Sequence, residues 1–509
     1  MRRFLGIALP ALAASCSGGG APGYDGPYRH VVLISLDTFR ADHMGCQGAA
    51  RPTPALDGLA AEGVRFADAT APAPTTLVSH TSLMTGSWPH THGVVRNGFV
   101  LAQENVLLAE ILRDAGFHTA AVLGSFALES RFAFDQGFEH FDEEFDVLAT
   151  LRGNDQNQRV ASDVTSAALR HVDAVGEDAR RLFLFVHYFD AHLLYEPPAE
   201  WAEAVTGDPA AAGDMEDVEA AVRAHQQAMV GREYGHTGII NAGFDGERVA
   251  LLTEPTGPAN PTDELLASLY AAEVGYVDAS IGELLRGLDE RGILDEAVVV
   301  VAGDHGETFW EHGDLWNHGL WVYQTTVQVP LILRLPDGRG RGRVVDVPVS
   351  TVDVLPTLCE LLDLELPPRC DGVSLVSLVD GRPFDRGPVF SEANQPWKAD
   401  ARTGWRNRNR PQSVRSGRYK YVHSPYNGVE QLFDLGADPV EQQDLLRGAS
   451  LSPAASAALA ELRAALARWR DEARPLPSEF DRSQYEETMA RLRELGYTGE
   501  DEEEQDEGR

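Results

Sequence analysis

Two runs of apolar, strand-forming residues in this chain end in carboxylates. The run VVLISLD ends at Asp37, and the run VVVVAGDHG carries Asp304 and His305 behind four valines. Runs of this kind form buried strands of parallel sheets, whose carboxyl ends meet at the edge where α/β proteins place their ligands. The pattern therefore predicts that Asp37, Asp304 and His305 converge at one edge of a sheet, although they lie far apart in the sequence.

Two carboxylates and an imidazole form a ligand set suited to a divalent cation. We expect this ion to be Ca, Mn, Zn or Mg. Asp37 taken alone could equally well cap the segment that follows it. Asp304 and His305 are the more specific signal, because polar side chains after a valine run are costly to bury unless a metal or partners satisfy them.

Short apolar segments alternate with amphipathic ones from about residue 30 to residue 334. This alternation predicts an α/β fold with a doubly wound sheet flanked by helices. The predicted strands are His30–Leu36, Thr119–Leu123, Leu182–Tyr188, Ala297–Val301 and Val329–Leu333. The predicted helices are Val106–Ala115, Gln158–Ala174, Thr262–Arg286 and Val354–Leu362.

The periodicity changes beyond Phe390, which predicts a small C-terminal α+β subdomain. Its predicted elements are two antiparallel strands, Gln412–His423 and Val429–Leu435, and a helix at Ala454–Ala473. The predicted boundaries are 1–26 for a signal and tether, 27–395 for the catalytic domain, 396–475 for the subdomain and 476–509 for an acidic tail. Within the catalytic domain, residues 201–260 form an irregular insertion, either a lid or specificity element or a mobile surface loop.

The N-terminus has the pattern of an export signal. Two arginines precede a short apolar run, and small residues precede Cys16. Such a run is too short to span a bilayer permanently. Ala13–Cys16 resembles a bacterial lipobox with Cys16 as the lipidated residue, so we expect an exported protein, periplasmic or a lipoprotein of the outer membrane. An ordinary cleaved signal, with Cys16 incidental, is the alternative.

The charge of the chain excludes one class of partner. Its net charge is −35, and its two lysines are Lys398 and Lys420. Neutralising a phosphate backbone requires clusters of Lys and Arg, so we expect no nucleic-acid partner. Contact with a membrane is expected only through a lipid anchor. Among the other cysteines, Cys359 and Cys370 are the pair expected to form a disulfide in an oxidising compartment.

The segment APAPTTLVSHTSLMTG has the form of a turn that leads into a helix. Thr76 precedes the predicted helix Ser79–Thr85, whose N-terminal amides would help to hold an anionic group. A metal beside Thr76 would lower the pKa of its hydroxyl and allow it to act as a nucleophile without a nearby general base. A threonine near proline is more often structural, so this role depends on the metal. Together with the metal ligands, the segment indicates a metal-dependent hydrolase.

Further polar residues follow the predicted strands. His192 lies in FVHYFDAHLLYEPP and His318 in EHGDLWNHG. Either could be a core histidine with satisfied nitrogens, but two of them near an anion site favour a function. Asn97, in VVRNG, either donates a hydrogen bond to a substrate oxygen or makes a turn. Three weaker candidates are His187, Asp190 and His312.

These segments, in this order, resemble the sulfatase-like branch of the alkaline phosphatase superfamily. ISLDTFRADHMGCQG resembles its first metal motif, PTTLVSHTSLMTG its nucleophile motif and VAGDHGETFWEHG its second metal motif. The resemblance continues through HGLWVYQTTVQVPLILR, TVDVLPTLCELL and RSGRYKYV, and it covers about residues 30 to 446. It implies an alkaline-phosphatase-like sheet and an ester hydrolase.

The departures from that family bear on the chemistry. Sulfatases carry Cys or Ser in a C/S-x-P-S-R pattern that matures to formylglycine, whereas this chain has Thr76 and, in place of the arginine, His80. The lysine that sulfatases use near the anion is also absent from the matching segment, Val122–Phe126. Threonine is the nucleophile of phosphodiesterases and phosphotransferases in the superfamily, which implies a Thr-nucleophile variant that lacks the formylglycine motif.

The resemblance also implies roles for individual residues. Asp37, Thr76, Asp304 and His305 would bind the metal, and Asn97 and His80 would bind the substrate. His192 and His318 would contact the transferred group or the leaving oxygen. A second ion, if one binds, would use Asp190, His192 and His318.

The chain is thus expected to hydrolyse phosphate mono- or diesters through Thr76, with a small-molecule, glycan or lipid ester as its partner. Three alternatives remain open. The first is a sulfuric ester hydrolase that uses unmodified threonine, and the second is a phosphoethanolamine-type transferase. The third is a non-catalytic binding protein that has lost activity, against which the presence of Asp37, Asp304 and His305 argues.

Overall fold

The main sheet has eight strands and a parallel centre. This computed structural model describes residues 26–145, 158–176, 181–193, 195–208, 261–313, 316–395, 400–401, 404–448, 450–481, 483 and 485–494. The strands of the main sheet are β1 (His30–Leu36), β2 (Val64–Phe66), β4 (His118–Val122), β5 (His140–Asp142), β6 (Leu182–Tyr188), β7 (Ala297–Gly303), β9 (Leu331–Arg334) and β10 (Arg343–Val345), in the spatial order β10-β2-β9-β7-β1-β6-β4-β5. Only β9 runs antiparallel to its neighbours.

The central strands are buried on both faces. Val31 and Leu33 of β1 belong to one hydrophobic core, whereas Val32 and Ile34 belong to the core on the other face. Every residue of β1, β6 and β7 is buried. Because side chains alternate across a strand, a continuously apolar run fits a sheet covered on both faces. The predicted doubly wound α/β sheet flanked by helices is therefore confirmed.

The helices that cover the sheet lie close to their predicted positions. The longest described helix runs from Pro261 to Glu290 and packs against three other helices of the same face. The helix after the nucleophile segment begins at Thr76, three residues earlier than predicted. The helices are α1 (Pro54–Glu62), α2 (Thr76–Thr85), α3 (Pro89–His92), α4 (Leu108–Asp114), α5 (Ala161–Val175), α6 (Ala199–Thr206), α7 (Pro261–Glu290), α8 (Gln324–Val327), α9 (Val354–Leu362), α10 (Val376–Val379), α11 (Pro453–Asp471) and α12 (Tyr485–Glu494).

The C-terminal subdomain is a four-stranded antiparallel sheet covered by α11. Its strands are β12 (Val389–Glu392), β13 (Gln412–Ser416), β14 (Tyr419–Ser424) and β15 (Val429–Asp434), in that order. The single strand predicted at Gln412–His423 is wrong, because the chain reverses at Gly417, whose positive φ of 55° favours glycine. A third, small sheet pairs β3 (Ala69–Thr70) with β8 (Gln328–Val329) and β11 (Val349–Ser350).

Several predicted features lie outside the described residues. They are the export signal with Cys16, most of the insertion (209–260) and the last part of the acidic tail (495–509). The parts of the latter two that are described contain α6 and α12. The predicted disulfide is not present, since Cys359 and Cys370 are both free thiols and Cys370 donates to the carbonyl of Gly372. None of the described helices combines the length and apolarity needed to cross a bilayer.

Candidate active site at the carboxyl edge of the sheet

The two strands that carry the predicted metal ligands are direct neighbours. β1 pairs with β7 in parallel, and Leu36 lies opposite Gly303, so Asp37 and Asp304 follow paired positions. His305 is the next residue. One ligand atom from each of Asp37, Asp304 and His305 lies within 4.8 Å of the others, and all three side chains are buried. The register of the sheet thus brings the predicted triad together.

In each of the two carboxylates of this triad, one oxygen has a hydrogen-bond partner and the other has none. Asp37 Oδ2 lies 3.2 Å from His187 Nε2, and Asp304 Oδ1 accepts hydrogen bonds from the amides of Thr38 at 3.1 Å and His305 at 2.5 Å. The second oxygens, Asp37 Oδ1 and Asp304 Oδ2, are buried without a hydrogen bond. Two buried carboxylate oxygens without partners are costly, and a cation between them would remove that cost. The residues present therefore fit a divalent cation.

The pKa values of these carboxyls reflect the same situation. Burial raises the pKa of Asp37 well above its usual value, and a hydrogen bond from Thr76 opposes this rise. Burial also raises the pKa of Asp304, and the charge of Asp37 adds to the rise. A bound cation acts in the opposite direction, because it stabilises the ionised form of each carboxyl. The metal is therefore what would keep both carboxylates ionised at neutral pH.

Thr76 is the first residue of α2, and its hydroxyl faces the triad. Its Oγ1 lies 3.4 Å from His305 Nε2. The preceding Thr75 is extended and caps the helix, so the chain turns sharply into α2 at this point. Asn97 Oδ1 accepts a hydrogen bond from the amide of Leu77 at 2.9 Å, and Asn97 Nδ2 is buried without a hydrogen bond. A polar donor without a partner beside Thr76 is what the predicted substrate role of Asn97 requires.

His80 lies one helical turn after Thr76 and is fully buried. Its Nε2 lies 2.6 Å from Ser35 Oγ, and its Nδ1 lies 2.7 Å from the carbonyl oxygen of Thr76 and 3.5 Å from Asp304 Oδ2. Both ring nitrogens thus have partners within the protein. This geometry gives His80 a supporting position behind Thr76 and Asp304, and its predicted contact with substrate stays a prediction.

The two histidines predicted to contact the transferred group lie beside the triad. The ring centroid of His318 is 4.5 Å from that of His305 and 5.2 Å from that of His192. His318 Nδ1 lies 3.3 Å from Glu307 Oε1, and His192 Nδ1 lies 2.7 Å from the carbonyl oxygen of Leu193. Burial lowers the pKa of His318 to about 4 and that of His192 well below its usual value. Both are therefore neutral imidazoles at physiological pH.

The second set of predicted metal ligands does not converge. Among the described residues, Asp37, Asp304 and His305 are the one group of three whose ligand atoms meet closely enough for an ion. Asp190 instead lies near Glu273, and burial raises the pKa of Asp190 to about 7. The structure thus supports one ion, in the triad.

The remaining weaker candidates, His187 and His312, and the lysine Lys420 lie in different surroundings. His187 contacts Asp37 and so belongs to the surroundings of the triad. His312 stacks on Tyr323, with ring centroids 3.9 Å apart, and has a positive φ of 62°. Lys420 pairs with Glu441 at 2.8 Å within the C-terminal subdomain, and Lys398 lies outside the described residues.

No role was predicted from the sequence for Glu307, Ser35 and Asn394, although all three contact residues of the site. Glu307, within the DHGE motif, holds His318, and Ser35 on β1 holds His80. Asn394, after β12, accepts a hydrogen bond from Thr75. The position of Glu307 two residues after His305 was an available signal. Asn394 belongs to no motif, and only the tertiary fold reveals its contact.

Two family models and several curated proteins match this chain. The sulfatase family model matches residues 29–364, and the model of the C-terminal region of N-sulphoglucosamine sulphohydrolase matches residues 311–471. The ulvan-active sulfatase of Formosa agariphila is 25% identical over 437 residues, which cover 82% of this chain and 77% of the relative. The choline-sulfatase of Rhizobium meliloti is 34% identical over 179 residues, or 35% of this chain and 32% of the relative.

Solved structures show the same fold. The phosphonate monoester hydrolase of Agrobacterium radiobacter superposes with a TM-score of 0.65 and 22% identity, over 86% of this chain and 96% of that one. The predicted alkaline-phosphatase-like sheet with a small C-terminal subdomain is therefore confirmed. The chain belongs to the sulfatase family, in the sulfatase-like branch of the alkaline phosphatase superfamily, and is a hydrolase acting on phosphoric or sulfuric ester bonds.

Proposed function

We propose that this protein is a metal-dependent hydrolase that cleaves phosphate mono- or diesters with Thr76 as its nucleophile. One observation carries the proposal: the hydroxyl of Thr76 lies at the N-terminus of α2, 3.4 Å from His305 Nε2 and hydrogen-bonded to Asp37. The nucleophile and the candidate metal ligands therefore share one buried site. The alcohol of the ester belongs, in this proposal, to a sugar or a lipid.

Asp37, Asp304, His305 and Thr76 are the residues that would hold the cation. When bound, a divalent cation lowers the pKa of the neighbouring hydroxyl and offsets the negative charge on the phosphoryl oxygens. The chain supplies the remaining parts. Asn97 Nδ2, buried without a hydrogen bond, is in a position to donate to a non-bridging oxygen of the ester.

The reaction proceeds in two displacements. Thr76, after losing its proton to solvent, attacks phosphorus in line, and the Oγ–P bond forms as the P–O bond to the alcohol breaks. The leaving oxygen departs as an alcohol after gaining a proton, and His192 and His318 are the side chains that contact it in this proposal. Water then attacks the phospho-threonine, which releases phosphate, or a phosphate monoester from a diester, and restores the Thr76 hydroxyl.

Glu307 sets the orientation of one of these histidines. Its carboxylate lies 3.3 Å from His318 Nδ1 and is fully buried. A carboxylate at Nδ1 favours the tautomer that carries the ring proton on that nitrogen, and it stabilises the imidazolium that forms when Nε2 takes up a second proton. In this proposal, His318 Nε2 takes up a proton from solvent and gives it to the leaving oxygen, which returns the ring to its neutral form.

The choice of phosphate over sulfate rests on what surrounds Thr76. The position that carries the formylglycine precursor in sulfatases is threonine here, and the family's anion-site lysine is absent from the matching segment. A phosphate monoester carries more charge and gains more from a cation than a sulfate ester does. Sulfuric ester hydrolysis is the second candidate, because the sulfatase family model matches residues 29–364.

A panel of chromogenic esters tests the proposal. Phosphate monoesters, phosphate diesters, phosphonate esters and sulfate esters are assayed with Mn²⁺, Zn²⁺, Ca²⁺ or Mg²⁺, each beside Thr76→Ala as a control. We expect turnover of phosphate or phosphonate esters that exceeds that of sulfate esters and disappears in the control. Turnover of sulfate esters alone would replace the proposal with the second candidate, and metal binding without any turnover would indicate a binding protein.

We also propose that the mature protein is exported and begins at a lipidated Cys16. The basic, apolar and small-residue segments before Cys16 support this. Cys16→Ser should move the protein from the membrane fraction to the soluble fraction, while a substitution of Ser15 by alanine should leave it bound. A wild-type protein that fractionates as soluble, with an N-terminus elsewhere, would contradict the proposal.

A further inference from the structure

The end of the C-terminal sheet runs along the turn that precedes Thr76. Ser391 Oγ donates to the carbonyl of Ala71 at 2.6 Å, and the amide of Glu392 donates to the carbonyl of Pro72 at 2.9 Å. Two residues later, Asn394 reaches Thr75. The subdomain thus holds the nucleophile turn through a series of hydrogen bonds rather than through apolar packing alone.

Asn394 connects this turn to two other segments of the site. Its Oδ1 accepts from Thr75 Oγ1, its Nδ2 donates to the carbonyl of Val95 at 2.7 Å, and its backbone amide donates to the carbonyl of Gly319 at 2.9 Å. The residue is 1% exposed. Each partner adjoins a site residue, because Thr75 precedes Thr76, Val95 lies two residues before Asn97, and Gly319 follows His318.

Only an amide side chain can make this set of contacts. Thr75 needs an acceptor and the carbonyl of Val95 needs a donor, and asparagine presents both on one planar group. Aspartate would place a second acceptor against a carbonyl, and leucine would remove the acceptor of Thr75 Oγ1 and leave the carbonyl of Val95 with the 3.3 Å hydrogen bond from Asn407 Nδ2. The backbone of Asn394 is itself fixed, since Arg410 donates to its carbonyl and also pairs with Asp400.

We propose that Asn394 is a positioning residue for the ester hydrolysis, which sets the relative positions of Thr76, Asn97 and His318. The inference rests on the proposed function, because it assumes that Thr76 attacks the ester. Asn394 acts through Thr75, Val95 and Gly319 and need not touch the substrate. Displacement of a reacting group by about 1 Å can cost roughly a hundredfold in rate, so a residue that joins three parts of a site affects turnover more than binding.

Steady-state kinetics on the best ester of the panel, with purified full-length protein, test the inference. Asn394→Ala and Asn394→Asp should each lower kcat by about tenfold to a hundredfold and leave KM within about twofold. Metal content, measured by elemental analysis, should stay at the wild-type level. The matched control is Gln412→Ala, which removes a buried amide whose hydrogen bonds go to the carbonyls of Asn407 and Arg408. This control should lower stability without lowering kcat.

A second variant tests the same hydrogen bond from the other side. Thr75→Val is nearly isosteric and removes the hydroxyl that donates to Asn394, so it should lower kcat about tenfold even if Asn394→Ala does not fold. In the double variant, the combined loss should be smaller than the product of the two single losses, because both remove one interaction. Folded single variants with wild-type kcat, or losses that multiply fully, would overturn the inference.

The two proposals fail in different ways. If Thr76→Ala keeps wild-type turnover, the nucleophile assignment is wrong and the positioning role falls with it. If Thr76→Ala is inactive while Thr75→Val and Asn394→Asp keep wild-type kcat, the proposed function stands and the positioning role is overturned. A loss of kcat in Gln412→Ala equal to that in Asn394→Ala would show a general effect of the subdomain and would also overturn it.

Discussion

At the scale of single residues, the proposed function makes turnover depend on the hydroxyl of Thr76. It lies beside His305 and Asp37 at the start of α2. Thr76→Ala removes the attacking oxygen and should lower kcat at least about a thousandfold. Thr76→Ser keeps the oxygen and should retain part of the activity. Thr76→Cys should not create formylglycine-dependent sulfatase activity, because His80 stands where the maturation pattern has arginine. Wild-type activity in Thr76→Ala would leave water as the attacking group.

Glu307 offers a second residue-scale prediction. Its carboxylate faces His318 Nδ1 at 3.3 Å. Glu307→Ala removes the group that fixes the tautomer and should lower kcat about a hundredfold. Glu307→Gln keeps an acceptor for the Nδ1 proton and should recover part of that loss. The loss in Glu307→Ala should be largest for esters with poor leaving groups, because these depend most on proton donation. An equal loss for good and poor leaving groups would contradict the assignment.

At the scale of structural elements, β12 carries a buried acid that makes stability depend on pH. Glu392 Oε1 accepts from Trp405 Nε1 at 3.1 Å and from Asn407 Nδ2 at 2.5 Å, and Oε2 is buried without a hydrogen bond. Burial raises the pKa of Glu392 to about 8, against the lowering effects of Trp405, Asn407 and Arg410. The folded protein therefore holds this proton more tightly than the unfolded chain does.

The sign of the effect follows from that difference. The stability that protonated Glu392 contributes is present below the unfolded pKa, near 4.5, and is lost as the pH rises through about 8. Glu392→Gln keeps the neutral geometry at all pH values, so it should be more stable than wild type at pH 9, by a few kcal/mol at most, and similar at pH 5. Denaturant unfolding at both pH values measures this. Glu360→Gln, on the exposed side of α9, is the control and should show no such difference.

The elements also show what sequence can and cannot predict. β1 and β6 were predicted at their observed bounds, because a continuous apolar run has one stable place in such a fold, a strand buried on both faces. The hairpin at Gly417 was missed, although the polar Ser416-Gly417 pair is a turn signal between two strands. The proximity of Asp37 and Asp304 could be predicted from the positions of the two strand ends alone. The hydrogen bond between Thr75 and Asn394 could not, because it joins residues 319 positions apart in the sequence and no local pattern encodes it.

At the scale of the whole molecule, the metal site lies in the centre of the main sheet, where its ligands affect the stability of the entire domain. Asp37 and Asp304 follow the two central strands β1 and β7. Each has a buried carboxylate oxygen without a hydrogen bond. Without a cation, these buried carboxylates lower the free energy of unfolding of the domain. A bound cation would pair with both of them and add its binding free energy to the stability of the folded state. A cation bound at this candidate site would therefore couple function to stability.

This coupling predicts opposite effects of one substitution in two conditions. Asp304→Asn removes a charge from the buried pair, so in the presence of a chelator it should unfold at a higher temperature than wild type by a few degrees. With saturating metal the order should reverse, because wild type gains binding energy that the variant lacks, about 2.7 kcal/mol at a hundredfold excess over Kd. Thermal unfolding with and without chelator, together with elemental analysis, measures both effects. A variant that binds metal as wild type does, or that is less stable in both conditions, would show that Asp304 supports the fold in another way.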